Sequence, residues 1–296
     1  MKGKSMKGLF FLTMMLANNA IATSPKNNSN SKKEKNNTND NDTYNRICNT
    51  NGFFANKVVG NYQNNPEVLQ NIYEVGQIRR QYLPNIDLRI RNVESMLMQQ
   101  KDTLFQGNKY FEPLKAYIQM IAQKTEVAKI RREKSSGFCG EASAASIVNS
   151  LYEQLKSGHR ETVQEIMIEV AGGSTNHAFV LYNGPRLESQ QVDNKKIEEI
   201  MRIMKSPHKG DPIICDEFEH YYGPASKWYE KFFNAEDHDF DDGQYTFMHV
   251  TDYTLPPLHK AFNSEQRKYI KTLLMDLLSE VPICSNTGDK QNCPLM

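Results

Sequence analysis

Long hydrophobic runs are scarce in this sequence. The N-terminal one, Leu9 to Ala17, is about half of the ~20 apolar residues a bilayer-spanning helix needs, which excludes it as an anchor. An excess of charge is also missing: 36 basic and 35 acidic residues give a net charge of +1. That balance exerts no bulk pull toward nucleic acid or a membrane surface. No H-E-x-x-H and no paired C-x-x-C occurs, so the common zinc signatures are absent, and the chemistry below calls for no cofactor. No internal repeat is visible. Five cysteines, Cys48, Cys139, Cys215, Cys284 and Cys293, do not make full pairs, and an oxidising compartment leaves at least one thiol over.

The first 22 residues carry a positive signal. Lys2, Lys4 and Lys7 precede the apolar run, and Ala20-Ile21-Ala22 supplies an A-x-A cleavage pattern. Residues 1–22 therefore read as a secretory signal peptide, and the mature chain is expected to be exported, periplasmic or secreted, with no stable membrane association afterwards. Residues 23–43 are dominated by Asn, Lys, Ser and Asp. They have too few apolar side chains to offset the entropy of ordering, so they read as a tether. A signal followed by such a tether suits bacterial export, with a host protein among the possible targets.

Helical stripes follow. Val68, Ile72, Val75 and Ile78 mark one helix after Pro66, Ile86 to Leu104 a second, and Leu114 to Ile130 a third, giving a helical N-terminal region over 44–134. Ala144, Ile147, Val148, Leu151, Tyr152 and Leu155 lie on one face of a helix beginning near Cys139 and ending near Ser157-Gly158. Four β-like runs come next: Met167–Ala171, His177–Tyr182, Pro212–Cys215 and Tyr245–Val250. A helical insert over 193–205 interrupts them, and a last helix covers Ser264–Glu280. This order predicts an α+β domain over 135–296, its sheet packed on the Cys139 helix.

The chemistry centres on Gly137-Phe138-Cys139-Gly140-Glu141. A cysteine at a helix N-terminus faces unpaired backbone N–H groups and the positive end of the dipole, which favour thiolate over thiol. The amide of Cys139 is one oxyanion donor. His177 opens a strand beyond a Gly-rich turn, and Asp216 follows the buried run Pro212–Cys215, a position from which a carboxylate fixes an imidazole tautomer. Singly, each residue also suits a bland role: a buried spacer, a structural histidine, a strand-end cap. The three in this order are harder to obtain by accident.

GFCGEASAASIVNSL, NHAFVLYN and PIICDEF together resemble the papain-like cysteine hydrolases of the transglutaminase-like and bacterial-effector protease type. The resemblance spans about Gly137 to Phe218. It implies a papain-like fold in which Cys139 is the nucleophile, His177 the general base and acid, and Asp216 the orienting carboxylate. It also implies an upstream oxyanion side chain, for which Gln119 and Gln123 are candidates. The expected activity is protease or amidase chemistry on a protein or peptide substrate. A glutamine deamidase or transglutaminase using the same triad, and a secreted binding protein on an inactive scaffold, are the alternatives. Two departures stand out: Glu217-Phe218 replaces the Pro-Trp that often follows the family's Asp, and the helical insert lengthens the His–Asp interval.

Weaker features complete the reading. Cys284 and Cys293 bracket a short polar loop and read as a local disulfide, and Cys48 pairs with Cys215 or with nothing. Asp237–Gly243 reads as a solvated acidic turn, since its glycine and Met248 fall out of calcium-loop register. His220, His238 and His249 lack a zinc signature. Trp228 and its aromatic neighbours wall a cleft or pack a core, the second being favoured.

Overall fold

The computed structural model describes residues 66–134, 139–170, 176–205, 211–216, 221–228 and 246–281. The signal, the tether, the acidic turn at 237–243, His220, His238, Cys48 and the Cys284–Cys293 pair lie outside the described residues. Three helices come first: α1 (Pro66–Lys101), α2 (Phe111–Lys134) and α3 (Cys139–Ser157). They lead into β1 (Val163–Val170), β2 (Asn176–Tyr182), β3 (Gln190–Val192), α4 (Asn194–Ile203), β4 (Ile213–Asp216), β5 (Tyr221–Pro224) and β6 (Thr246–Asp252). The short α5 (Leu258–Ala261) and α6 (Ser264–Ser279) follow. The class is α+β, as the order of patterns predicts.

The six strands form one antiparallel sheet in the order β3-β6-β1-β2-β4-β5. Successive side chains along a strand point to opposite faces, and both faces are covered. One turns Val163, Val180, Tyr182, Ile213 and Cys215 toward α1, α2, α3 and α6, whose Leu97, Ile118, Ile147 and Leu274 complete a large apolar core. The other turns Ile166, Ile168, Phe179, Leu181 and Ile214 toward Ile197 and Met201 of α4 and toward Trp228. Each fully buried Leu, Ile or Phe contributes roughly 1.5–3 kcal/mol, so the helical face is the more strongly anchored.

Helix α3 has one apolar stripe in sequence yet is buried almost all round, from Glu141 through Leu151. Ala142, Ser143, Ala144, Ala145 and Ser146 are small enough for helices and sheet to close on it from several sides. Gly158 ends it with φ 76°, a left-handed geometry that glycine adopts at no steric cost. Its N–H returns to Gln154 O at 2.9 Å.

Some elements differ from expectation. The stripe at 68–78 and that from Ile86 to Leu97 belong to a single 36-residue helix with Pro84 inside it, and Leu104 falls beyond its end at Lys101. Pro84 lies on the exposed side, where water can replace the ladder bond that proline removes. β1 starts at Val163, four residues before the apolar run, because Gln164 and Glu165 are buried strand residues. β3 and β5 were not foreseen. Both are short edge strands, and Pro224 in β5 is tolerated for that reason.

Candidate active site

Cys139 is the first residue of α3 and is half-buried. As one of the first four residues of a helix, it has a backbone N–H without an intrahelical acceptor. His177 is the second residue of β2 and Asp216 the last of β4. The β2–β4 register sets Val180 opposite Cys215. Alternation then places His177, Phe179 and Asp216 on the face away from α3's core contacts, at the end of the sheet.

His177 Nε2 and Asp216 Oδ2 are 2.7 Å apart. Both residues are buried, Asp216 completely. Trp228 Nε1 donates to the same Oδ2 at 2.8 Å. The indole lies on Phe179 with centroids 4.3 Å apart, and Phe179 lies 5.9 Å from the His177 ring. Trp228 and Phe179 thus cover the His–Asp bond with apolar surface while the indole N–H takes part of the carboxylate charge. With Nε2 turned to Asp216, Nδ1 is the nitrogen left for Cys139, whose side chain hydrogen-bonds His177.

Burial alone would lower the His177 pKa. The Asp216 carboxylate outweighs it through charge and hydrogen bond, Cys139 adds a smaller contribution, and the pKa is pushed up to about 10. The ring is therefore an imidazolium across neutral pH, held between a carboxylate and a sulfur. Such a group can donate a proton to a leaving atom beside the sulfur and take one back from water.

The three residues singled out from sequence are thus together. Gln119 and Gln123 lie on α2, half-buried, and neither makes a side-chain hydrogen bond among the described residues. Trp228 is buried, as favoured, but its bond to Asp216 was missed. Its being the single tryptophan, in a sequence that lacks Trp just after Asp216, was the available clue. Cys215 is a buried thiol whose sulfur lies 3.2 Å from Ser146 Oγ, so it does not pair with Cys48. His249 Nε2 contacts Glu169 Oε2 at 3.1 Å, and among the described residues no group of three or more His, Cys, Asp or Glu is disposed to hold a metal ion. No protein-family model, no curated protein and no solved structure matches the chain.

Proposed function

We propose that this chain is an exported cysteine hydrolase of papain-like, transglutaminase-like fold, cleaving an amide or peptide bond through Cys139, His177 and Asp216. The observation that carries the reading is the continuous line of hydrogen bonds from Cys139 through His177 to Asp216 and Trp228.

The Cys139 sulfur, as thiolate, adds to the carbonyl carbon, and the C=O electron pair moves onto oxygen. The N–H of Cys139 at the start of α3 meets that oxyanion. His177 then gives its Nδ1 proton to the departing nitrogen as the C–N bond breaks, leaving a thioester. Neutral His177 takes a proton from water, which adds to the thioester carbonyl and expels the sulfur as thiolate. Asp216 keeps Nε2–H engaged throughout, so the ring presents Nδ1 in both steps. A side-chain amide from α2 is the second oxyanion donor. Of the two candidates, Gln123 lies one helical turn closer than Gln119 to the α3 N-terminus, because Lys124 reaches Glu165, which also holds Ser143. The substrate in this reading is a protein or peptide, and the N-terminal sequence pattern supports a reaction outside the cytoplasm, with a host protein as one target.

A thiol-directed alkylating probe tests the reading. Wild type is expected to label at Cys139, and Cys139→Ala is not. Equal labelling of the two proteins, or hydrolysis unaffected by the substitution, would sink it. Mass spectrometry of treated peptides then separates backbone cleavage from Gln-to-Glu conversion or amine incorporation.

A further inference from the structure

Under the α3 N-terminus, on the helical face of the sheet, lies a second buried polar cluster that the proposed mechanism does not use. Lys124 Nζ of α2 and Ser143 Oγ of α3 each approach Glu165 Oε1 of β1 at 2.6 Å. Tyr253 Oη donates to the other carboxylate oxygen at 3.5 Å. Tyr117 of α2 donates to the Tyr253 carbonyl at 2.9 Å, and Lys124 Nζ stands 5.5 Å over the Tyr253 ring. Ser143 also reaches back to Gly140 O at 3.1 Å, one residue from Cys139.

A stretch of Ala142, Ser143, Ala144, Ala145 and Ser146 presents little relief to the sheet. Ile147, Val148 and Leu151 lock the middle of the helix into the core, but over its first turn and a half no large side chain interlocks, so apolar contact does little to fix the end that carries Cys139. Directional bonds do fix it. Glu165 also pairs across the sheet with Val180 of β2, three residues from His177, about 10 Å along the strand. Ser143 is four residues, about 6 Å, from Cys139 along α3. One carboxylate thus ties the element that carries the sulfur to the strand that carries the imidazole.

We infer that Glu165, with Ser143 and Lys124, is a positioning device that sets the Cys139 sulfur against His177 Nδ1. The inference rests on the proposed hydrolase reading. Lys124 balances the buried Glu165 charge, which would otherwise stand uncompensated between α2, α3 and β1. The charged and titratable groups that act on the cluster are Lys124 and Tyr117 from α2, Tyr253 after β6 and, through Tyr117, Asp252 of β6, while His177 with Asp216 faces Cys139 from the other side of the sheet.

The test compares two charge-neutral double variants of the full chain by their rate of alkylation with iodoacetamide across pH, read at Cys139. Lys124→Met with Glu165→Gln keeps an acceptor oxygen for Ser143. Lys124→Met with Glu165→Leu removes it and leaves no orphan charge, so both are expected to fold. Loss of the acceptor is expected to slow alkylation at neutral pH about tenfold and move the profile toward that of His177→Ala, one pKa unit being a factor of ten. The Gln variant loses no more than about threefold, and Ser143→Ala follows the Leu variant. Should the Leu and Gln variants share one profile, or Ser143→Ala leave the wild-type rate intact, the positioning role is wrong while the hydrolase reading stands. A wild-type profile indistinguishable from that of His177→Ala overturns the hydrolase reading itself, and the inference falls with it.

Discussion

Two buried ion pairs occupy opposite faces of one sheet, Lys124–Glu165 toward the helices and His177–Asp216 toward α4 and Trp228. Their separations, 2.6 and 2.7 Å, are nearly equal, so distance does not tell them apart. The disposition of the remaining polar atoms does. Both Glu165 oxygens are taken, by Lys124, Ser143 and Tyr253, and that pair is closed. Asp216 Oδ2 takes both His177 and Trp228, but His177 keeps a second ring nitrogen that faces half-buried Cys139. A buried ion pair becomes chemically useful when one member presents a second valence to a group that substrate can reach.

The sharpest way to break the comparison is at its open end. Cys139→Ala is expected to lower peptide or amide hydrolysis by at least ~10³-fold, with folding little changed, as measured by kcat/KM and thermal melting. Asp216→Ala should act on stability as well. It orphans the buried His177 and the Trp228 N–H, a loss of roughly 3–5 kcal/mol in denaturant unfolding. Trp228→Phe keeps the contact with Phe179 and removes one charge-assisted donor from Asp216, for about 1–3 kcal/mol and a fall in kcat.

Alkali tests the same pair through its titration. The folded pKa of His177, about 10, lies above its ordinary value of 6.5. The pair's contribution to stability is therefore full below about pH 6.5 and is lost as pH rises through about 10. Unfolding free energies measured across that interval should fall more steeply for wild type than for Asp216→Asn; parallel slopes would remove His177 as the cause. The least effect is expected at the surface. Arg186 pairs with Asp252 at 2.8 Å but is 65% exposed, so Arg186→Ala should change stability by less than ~1 kcal/mol.

Much of this was legible one residue at a time. The α3 stripe, the HAFVLY and PIIC strands and the final helix could be placed from periodicity, and the Asn263–Gln266 capping box fixes where α6 starts. Charge hid what was missed. Gln164 and Glu165 precede the apolar run that begins at Met167, yet they lie in the buried start of β1, where a partner 41 residues upstream neutralises the carboxylate. The apolar spacing divides the segment into two stripes, yet one helix carries both, because a proline on the exposed side of a long helix, as at Pro84, needs only water in place of the lost bond. Trp228 read as packing because its donor role depends on a carboxylate 12 residues away.

The sequence by itself determined the α+β order of elements, the helix N-terminus at Cys139 and the three residue types offered for chemistry, because periodicity and helix ends are local properties. Tertiary structure alone decided which groups meet. The β2–β4 register brings His177 to Asp216, Trp228 closes over their bond, and Glu165 of β1 holds α2 through Lys124 and α3 through Ser143. Those contacts join residues 12 to 41 apart in the chain. Only the folded sheet, with water excluded from both faces, makes a carboxylate strong enough to keep the His177 ring charged.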